Sequence, residues 1–476
     1  MKYKLIALLI FILLVIVSFN GVMGEDEGRF SYIGRVWTDN SIPPYSGTVE
    51  NKAPGIIELF AISNIIFGIN LFFVRALGII SIAFASIGIY HIGKKWHSDS
   101  AGLLAMIIFG FTVTWRLLDG AFNSMTEDFM ILFVVLSLLT GIQIKDSNNR
   151  LKWILLSGIS MGFAIAFKQI AITSGLGILI ILLLILSDMT TVKYLIYSVL
   201  VYGFGILIGT FISLIPIFLS GVSFMEYFNG VWLILLKHGP GPSLLHRIQF
   251  FRQLWLESRF VYFYPFLLLL VLQGNLLKNK YILGLLIWLF LDFVGVNASG
   301  YYFGHQLKQI MPSLSLIIGI LIANSLYKHI VKKDIFKKHI NRIAVVVIFF
   351  LLPYDLLIDN YLRIRQDNYI HSDKEVGLFI KNNTNPEDYL FFLCNANAVL
   401  AYSDRVTSSK HFCPLFINYP DEYNEVYSDL LNKPPKLIIR RELDIWHFPA
   451  KFEDYVEQNY SLFHKQYDFL IYKRNL

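Results

Sequence analysis

Two short acidic runs and a few separated cations hold the chemistry this sequence can offer. The first run is Glu25-Asp26-Glu27, followed by Gly28, Arg29 and Phe30. Three successive carboxylates repel one another, so such a run persists where cations, a metal or a catalytic task hold it; a solvated charge run at a membrane edge is the plainer alternative. The second is Thr126-Glu127-Asp128, just ahead of the apolar stretch that begins at Phe129. A carboxylate there would also serve simply to cap a helix, whose N-terminal dipole favours negative charge. The cations are Lys52 in Glu50-Asn51-Lys52-Ala53-Pro54, Lys168 in Phe167-Lys168-Gln169, and His305 and Lys308 in the stretch Tyr301 to Pro312, which also holds Gln306. A lysine at the end of an apolar helix usually reaches for the headgroup layer, and an interfacial histidine needs no special role, so none of these is a site alone. Cys394 and Cys413 lack the spacing of a metal framework and read either as buried thiols or as a disulfide.

The elements that must position these residues are membrane helices. The chain is 55% hydrophobic and only 16% charged, against about 25% charged in soluble domains, and its mean hydropathy is +0.56. Apolar segments recur, each with its flanks about 17 to 25 residues long and able to cross a hydrocarbon core of about 30 Å. Leu5 to Phe19, Leu103 to Val113, Ile172 to Leu186, Tyr194 to Leu219, Ile282 to Phe293 and Ile343 to Leu352 are examples, and about eleven spans are expected. The net charge of +7 is spread through alternate turns, at Lys94 and Lys95, at Lys145, Arg150 and Lys152, at Lys193, at Lys278 and Lys280, and from Lys328 to Arg342. That placement follows the positive-inside rule and argues against nucleic acid as a partner. It puts the N-terminus inside and the C-terminus outside. Met1 to Gly24 reads as an anchored first helix, with a cleaved signal as the alternative.

Both acidic runs, with Lys52, Lys168, His305 and Lys308, then lie at outward ends of spans. The outward loop Gly24 to Pro54 is long, charged and proline-bearing, and the segment from Gly55 to Leu77 is expected to begin as an interfacial helix, with a true span from near Arg75. A second outward loop, Ser223 to Arg259, interleaves aromatic and basic side chains suited to headgroups. From Asp367 hydropathy falls: Lys374 to Asn382 and Phe452 to Asn459 read as amphipathic helices, Tyr389 to Cys394 and Lys436 to Ile439 as buried strands. The expected fold class is a polytopic α-helical membrane protein with a small extracytoplasmic α/β domain at its C-terminus. The expected domains are residues 1–365, with a catalytic outer loop at 21–55, and residues 366–476.

Asp26-Glu27-x-Arg29 followed by an aromatic residue, a Lys-x-Pro element at Lys52, Thr-Glu opening an outer helix at Thr126, a Gly-x5-Lys-Gln element ending at Lys168-Gln169, and His305-Gln306-Leu-x-Gln-x-x-Pro occur here in one order. In that order they resemble the GT-C superfamily, and the chain looks like a glycosyltransferase family 39 member, related to protein O-mannosyltransferases and to the aminoarabinose transferase of lipid A. The resemblance covers nearly the whole chain. It implies a membrane transferase, usually inverting, that takes a sugar from a polyprenyl-phosphate or related lipid carrier and passes it to a protein, lipid or glycan acceptor of the cell envelope. Asp26 matches the catalytic carboxylate, Glu27 its neighbour, and Lys52 the cation that meets the carrier phosphate. Arg29, Glu127, Asp128, Lys168, Gln169, His305, Gln306 and Lys308 are the expected substrate-binding set. Relatives often place an acidic residue directly before the lysine of Lys-Pro-Pro, where this chain has Asn51. No organic cofactor is expected, and a divalent metal is left open. These residue types suit inversion at an anomeric carbon, which needs a base for the acceptor hydroxyl and cations for the departing phosphate.

Readings from other classes are a transporter or flippase of a lipid-linked glycan, an oligosaccharide ligase or polymerase on the same fold, and a receptor. Transporters place ionisable residues near the midplane and show repeat symmetry. This sequence shows no repeat.

Overall fold

A computed structural model describes residues 23–113, 123–234, 242–257, 278–332, 372–442 and 446–475, with a few single residues between them. By contacts the chain divides into two compact units. One comprises the described residues of Arg75–Leu214 and Pro240–Ile364, the other those of Asn20–Val74, Ile215–Gly239 and Arg365–Leu476. The expected outer loop 21–55 therefore shares a unit with residues 366–475.

Among the described residues six helices are long and apolar enough to cross a membrane: Leu71–Trp96, Thr126–Lys145, Arg150–Phe167, Val192–Leu219, Lys280–Ala298 and Gly304–Ser325. Pro54–Phe67, Asp99–Val113 and Ala171–Leu186 are shorter apolar helices. The chain is an integral, multi-pass membrane protein. The expected first span and the one around Ile343 to Leu352 lie outside the described residues, as does most of the basic run after Lys332. The Gly-Pro-Gly-Pro break expected at Gly239 to Pro242 does so too, but for Pro242.

Two features show how the first unit suits lipid. Helix Val192–Leu219 turns Leu200, Phe204, Leu207 and Phe211 outward and exposed, an apolar stripe at helical spacing. On its inner side Gly205 and Gly209 meet Gly158 and Gly162 of helix Arg150–Phe167. A Cβ on Gly158 would stand 2.2 Å from the Tyr202 carbonyl oxygen, and one on Gly209 at 2.2 Å from that of Ile159. Small residues four apart on both helices let the backbones touch, the usual basis of close helix pairing in membranes.

In the second unit, helix Glu25–Asn40 and helix Pro54–Phe67 pack through Phe30 and Phe60, whose ring centroids are 6.0 Å apart. Pro54 opens its helix at a position where a missing N–H costs nothing. Gly68, at φ +67, closes it by donating its N–H to the Asn64 carbonyl. The long helix then starts at Leu71, four residues ahead of the expected Arg75, because Gly68 and Asn70 provide the break.

The C-terminal part of this unit is a five-stranded sheet in the order β2-β1-β3-β5-β4. Its strands are β1 Tyr389–Phe392, β2 Val406–Thr407, β3 Leu437–Arg441, β4 Tyr460–Gln466 and β5 Phe469–Arg474. β1 runs parallel to β2 and β3, while β5 is antiparallel to β3 and β4. Helices Asn397–Ser403 and Pro420–Asn432 make the two parallel crossovers, as parallel pairing requires. Phe391, Ile438, Val426, Leu430, Phe452 and Val456 form its core. Helix Ser372–Asn382 and helix Ala450–Asn459 stand where amphipathic helices were expected, and β1 and β3 where buried strands were.

Candidate active site

In the second unit, helix Glu25–Asn40 sorts the three carboxylates of the first acidic run into different tasks. Glu25 accepts the Asn397 N–H at 2.7 Å, tying the helix start to the C-terminal domain. Glu27 is fully buried and accepts the Gly24 N–H at 3.0 Å, a capping contact. Asp26 keeps 31% of its side chain exposed and accepts a hydrogen bond from Arg29 Nη2 at 2.8 Å, one turn along the helix. Of the pair expected to be catalytic, Asp26 is thus the carboxylate a solvent-borne group can reach.

Arg29 is itself buried between the rings of Phe30 and Phe416, at 5.3 and 5.4 Å. Its Nε stands 3.0 Å from Glu50 Oε2. Burial opposes the Arg29 charge, but Glu50 and Asp26 more than offset it and hold its pKa above the ordinary arginine value. Glu50 Oε1 in turn accepts the backbone N–H groups of Asn51 and Lys52 at 2.8 and 2.9 Å. Tyr45 Oη donates to the Lys52 carbonyl at 2.8 Å. That tyrosine sits at φ +69, in the left-handed region uncommon for a bulky residue, and packs edge-on against Tyr227 with centroids 5.8 Å apart. The Lys52 backbone is therefore held from two sides, and Lys52 itself is half-buried.

The C-terminal domain clamps the acidic helix along its length. Gly28 lies so close to Asn397–Ala398 that a Cβ there would fall 2.5 Å from the Ala398 nitrogen. Tyr32 Oη and Thr407 Oγ1 are 2.7 Å apart, and Arg35 Nη2 donates to the Arg405 carbonyl at 2.6 Å. Val49 N–H donates to the Lys410 carbonyl at 3.0 Å, pinning the loop before Lys52 to the same domain.

The first unit holds the other expected residues. Glu127 is buried, ion-paired with Lys168, 3.8 Å from His305 Nε2 and hydrogen-bonded by Thr126 Oγ1 at 2.8 Å. Asp128 does cap its helix, accepting the Met125 N–H at 3.1 Å, and its other oxygen takes Lys308 Nζ at 2.6 Å. Lys168 is buried rather than extended to a membrane surface. Gln169 is buried and Gln306 half-buried.

The sequence by itself gives no site role to Glu50, Tyr45 or Asp292. Glu50 stands two residues before Lys52, not beside it, so the spacing around the lysine does not mark it. Asp292, the one acidic residue in helix Lys280–Ala298, carried a readable signal, since an ionisable residue in an apolar span is rare without a reason. Cys394 and Cys413 are both buried thiols, which decides against a disulfide. Among the described residues no group of three or more His, Cys, Asp or Glu side chains gathers as a metal site would require.

Comparison with known proteins places this architecture. Residues 51–217 match the family model of dolichyl-phosphate-mannose-protein mannosyltransferases. ArnT from Cupriavidus metallidurans, crystallised with undecaprenyl phosphate, superposes with a TM-score of 0.66 at 13% identity, over 99% of this chain and 98% of that one. The oligosaccharyltransferase of Archaeoglobus fulgidus in its apo form gives a TM-score of 0.58 at 10% identity, over 92% and 69% of the two chains. Its complex, AglB with an inhibitory peptide and dolichol-phosphate, gives 0.53 at 12% identity over 92% and 69%. No curated protein matches the sequence. The fold is thus the one seen in ArnT and the archaeal oligosaccharyltransferase, and residues 51–217 are similar to the mannosyltransferase family.

Proposed function

We propose that this protein is a glycosyltransferase that moves a sugar from a polyprenyl-phosphate-type lipid to an acceptor at the outer face of the membrane, inverting the anomeric centre. The observation that carries the reading is the buried Asp26–Arg29–Glu50 ion-pair chain, which leaves Asp26 partly exposed and holds the backbone of the half-buried Lys52. The family-model match supports the transferase class. The lipid phosphates seen in the ArnT and AglB structures support the carrier class.

In this mechanism Asp26 takes the proton of the acceptor hydroxyl as its oxygen bonds to the anomeric carbon. The bond from that carbon to the carrier phosphate breaks on the opposite face, and its electron pair leaves with the phosphate. Lys52 stabilises the developing phosphate charge, while Arg29 orients Asp26. Glu27, buried in its capping contact, supports the start of the helix. Lys168 and Lys308 are already neutralised by Glu127 and Asp128, so their role is to hold the shape of the first unit's polar cluster.

The test uses purified protein in liposomes, radiolabelled polyprenyl-phosphate sugars, and envelope fractions from a strain lacking the gene as acceptor. Covalent appearance of label in the acceptor fraction supports transfer; label that only changes leaflet supports a flippase and defeats this reading. Sidedness is tested by a reporter active only in the cytoplasm fused after Leu476, which should stay silent.

A further inference from the structure

The geometry points to Asp292 as a positioning residue that, through Gln309, locks the turn carrying His305 and Lys308 onto the segment carrying Lys168. Helix Lys280–Ala298 is otherwise free of acidic side chains, and a carboxylate within a membrane span is costly unless every lone pair is engaged. Here Ser174 Oγ donates towards both Asp292 oxygens at 2.8 and 3.0 Å, Thr173 Oγ1 lies 2.8 Å from Oδ1, and Gln309 Nε2 donates to Oδ1 at 2.9 Å. The Gln309 amide also reaches Thr173 Oγ1 at 2.8 Å and the Ile170 carbonyl at 3.2 Å.

These contacts join chain segments far apart in sequence. Gln309 follows Lys308 in the 3-10 turn Gly304–Ile310, whose lysine reaches Asp128. Ile170 lies in the tight turn after Lys168, whose ammonium pairs with Glu127, and Thr173 in the first turn of the helix Ala171–Leu186 that follows. The approach is close by construction: a Cβ on Gly295, one turn beyond Asp292, would stand 2.8 Å from Thr173 Oγ1. Asp292 touches neither lysine in these contacts, yet it sets the backbone of both segments. Its bearing on sugar transfer rests on the proposed function; the positioning itself does not.

The test is residue-resolved acetylation of the full-length protein in detergent, read by mass spectrometry, with exposed Lys94 as internal reference. In Asp292→Leu and in Gln309→Met, Lys168 and Lys308 should react about tenfold faster or more relative to Lys94, corresponding to about 1.4 kcal/mol of lost local protection. Asp292→Asn, which keeps an acceptor oxygen for Ser174 and Gln309, should stay near wild type. Continued protection of both lysines in Gln309→Met, or a rise spread evenly over all lysines in both variants, overturns the proposal. Binding of undecaprenyl phosphate by the wild type is measured alongside. Its absence would defeat the carrier reading and leave the positioning role standing.

Discussion

Arg29 Nε stands 3.0 Å from Glu50 Oε2, and neither side chain has appreciable contact with solvent. Removing one member of such a buried pair strands the other charge, at a cost of about 3–5 kcal/mol. Glu50→Ala should therefore lower the melting temperature sharply and loosen the Lys52 loop. Glu50→Gln, which keeps an oxygen for the Asn51 and Lys52 amides, should lose less. Equal melting of Glu50→Ala and wild type in detergent would show that the pair contributes nothing.

Asp26→Asn preserves size and the Arg29 contact while removing the proton acceptor, so sugar transfer should drop about a hundredfold or more with donor binding retained. Lys52→Ala should instead weaken carrier binding by about 1.5–3 kcal/mol, the range of a charge-assisted contact. Near wild-type transfer by a well-folded Asp26→Asn variant would move the base elsewhere.

Gly28→Val introduces side-chain atoms where the Ala398 backbone leaves no room. Overpacking of this kind costs about 1–3 kcal/mol, and it should also displace Asp26. The readouts are melting temperature and transfer rate; a variant unchanged in both would mean the helix can shift without consequence.

Glu25 is pushed up to about 7, first by burial, with the Asn397 N–H opposing and Asp373 reinforcing the shift. Between its ordinary value of 4.5 and about 7 the folded protein holds a proton that the unfolded chain has released. Stability should thus decline as pH rises through that window and level off above it. Because 36% of the side chain is exposed, the decline should be shallow. Glu25→Gln should flatten it, and a melting profile parallel to wild type from pH 4.5 to 7 would exclude Glu25 as its source.

Cys394 and Cys413 are buried thiols, and burial pushes the Cys413 thiol up to about 11. Both should resist alkylation in the native protein and react fully on denaturation without reductant, because only an exposed thiolate is nucleophilic. Rapid labelling of the folded protein would contradict this packing.

Local pattern made much of this molecule legible. Asp26 and Arg29 are spaced for contact on any helix, and the apolar face of Ser372–Asn382 and the run in β3 announce themselves by period. Long-range pairing did not. Nothing in the sequence near Lys52 says that Glu50 turns back to Arg29, or that Tyr32 meets Thr407, so the acidic loop was expected beside the membrane helices rather than in one unit with the C-terminal domain. The β4–β5 hairpin was missed because β4 is an exposed edge with a bulge between Leu462 and His464, which breaks strict alternation. Asp292 is masked by the length of the apolar run around it, although its isolation there is itself a signal.

Helix Val192–Leu219, with its outward stripe, has 28 residues. At 1.5 Å per residue it extends about 42 Å, well beyond a hydrocarbon core of about 30 Å. Such an excess is accommodated by tilt or by local stretching of the acyl chains. Since this helix is bound through its glycines to Arg150–Phe167, a tilt taken up by one is imposed on the other, and bilayer thickness becomes a variable that reaches the polypeptide leading directly to Lys168.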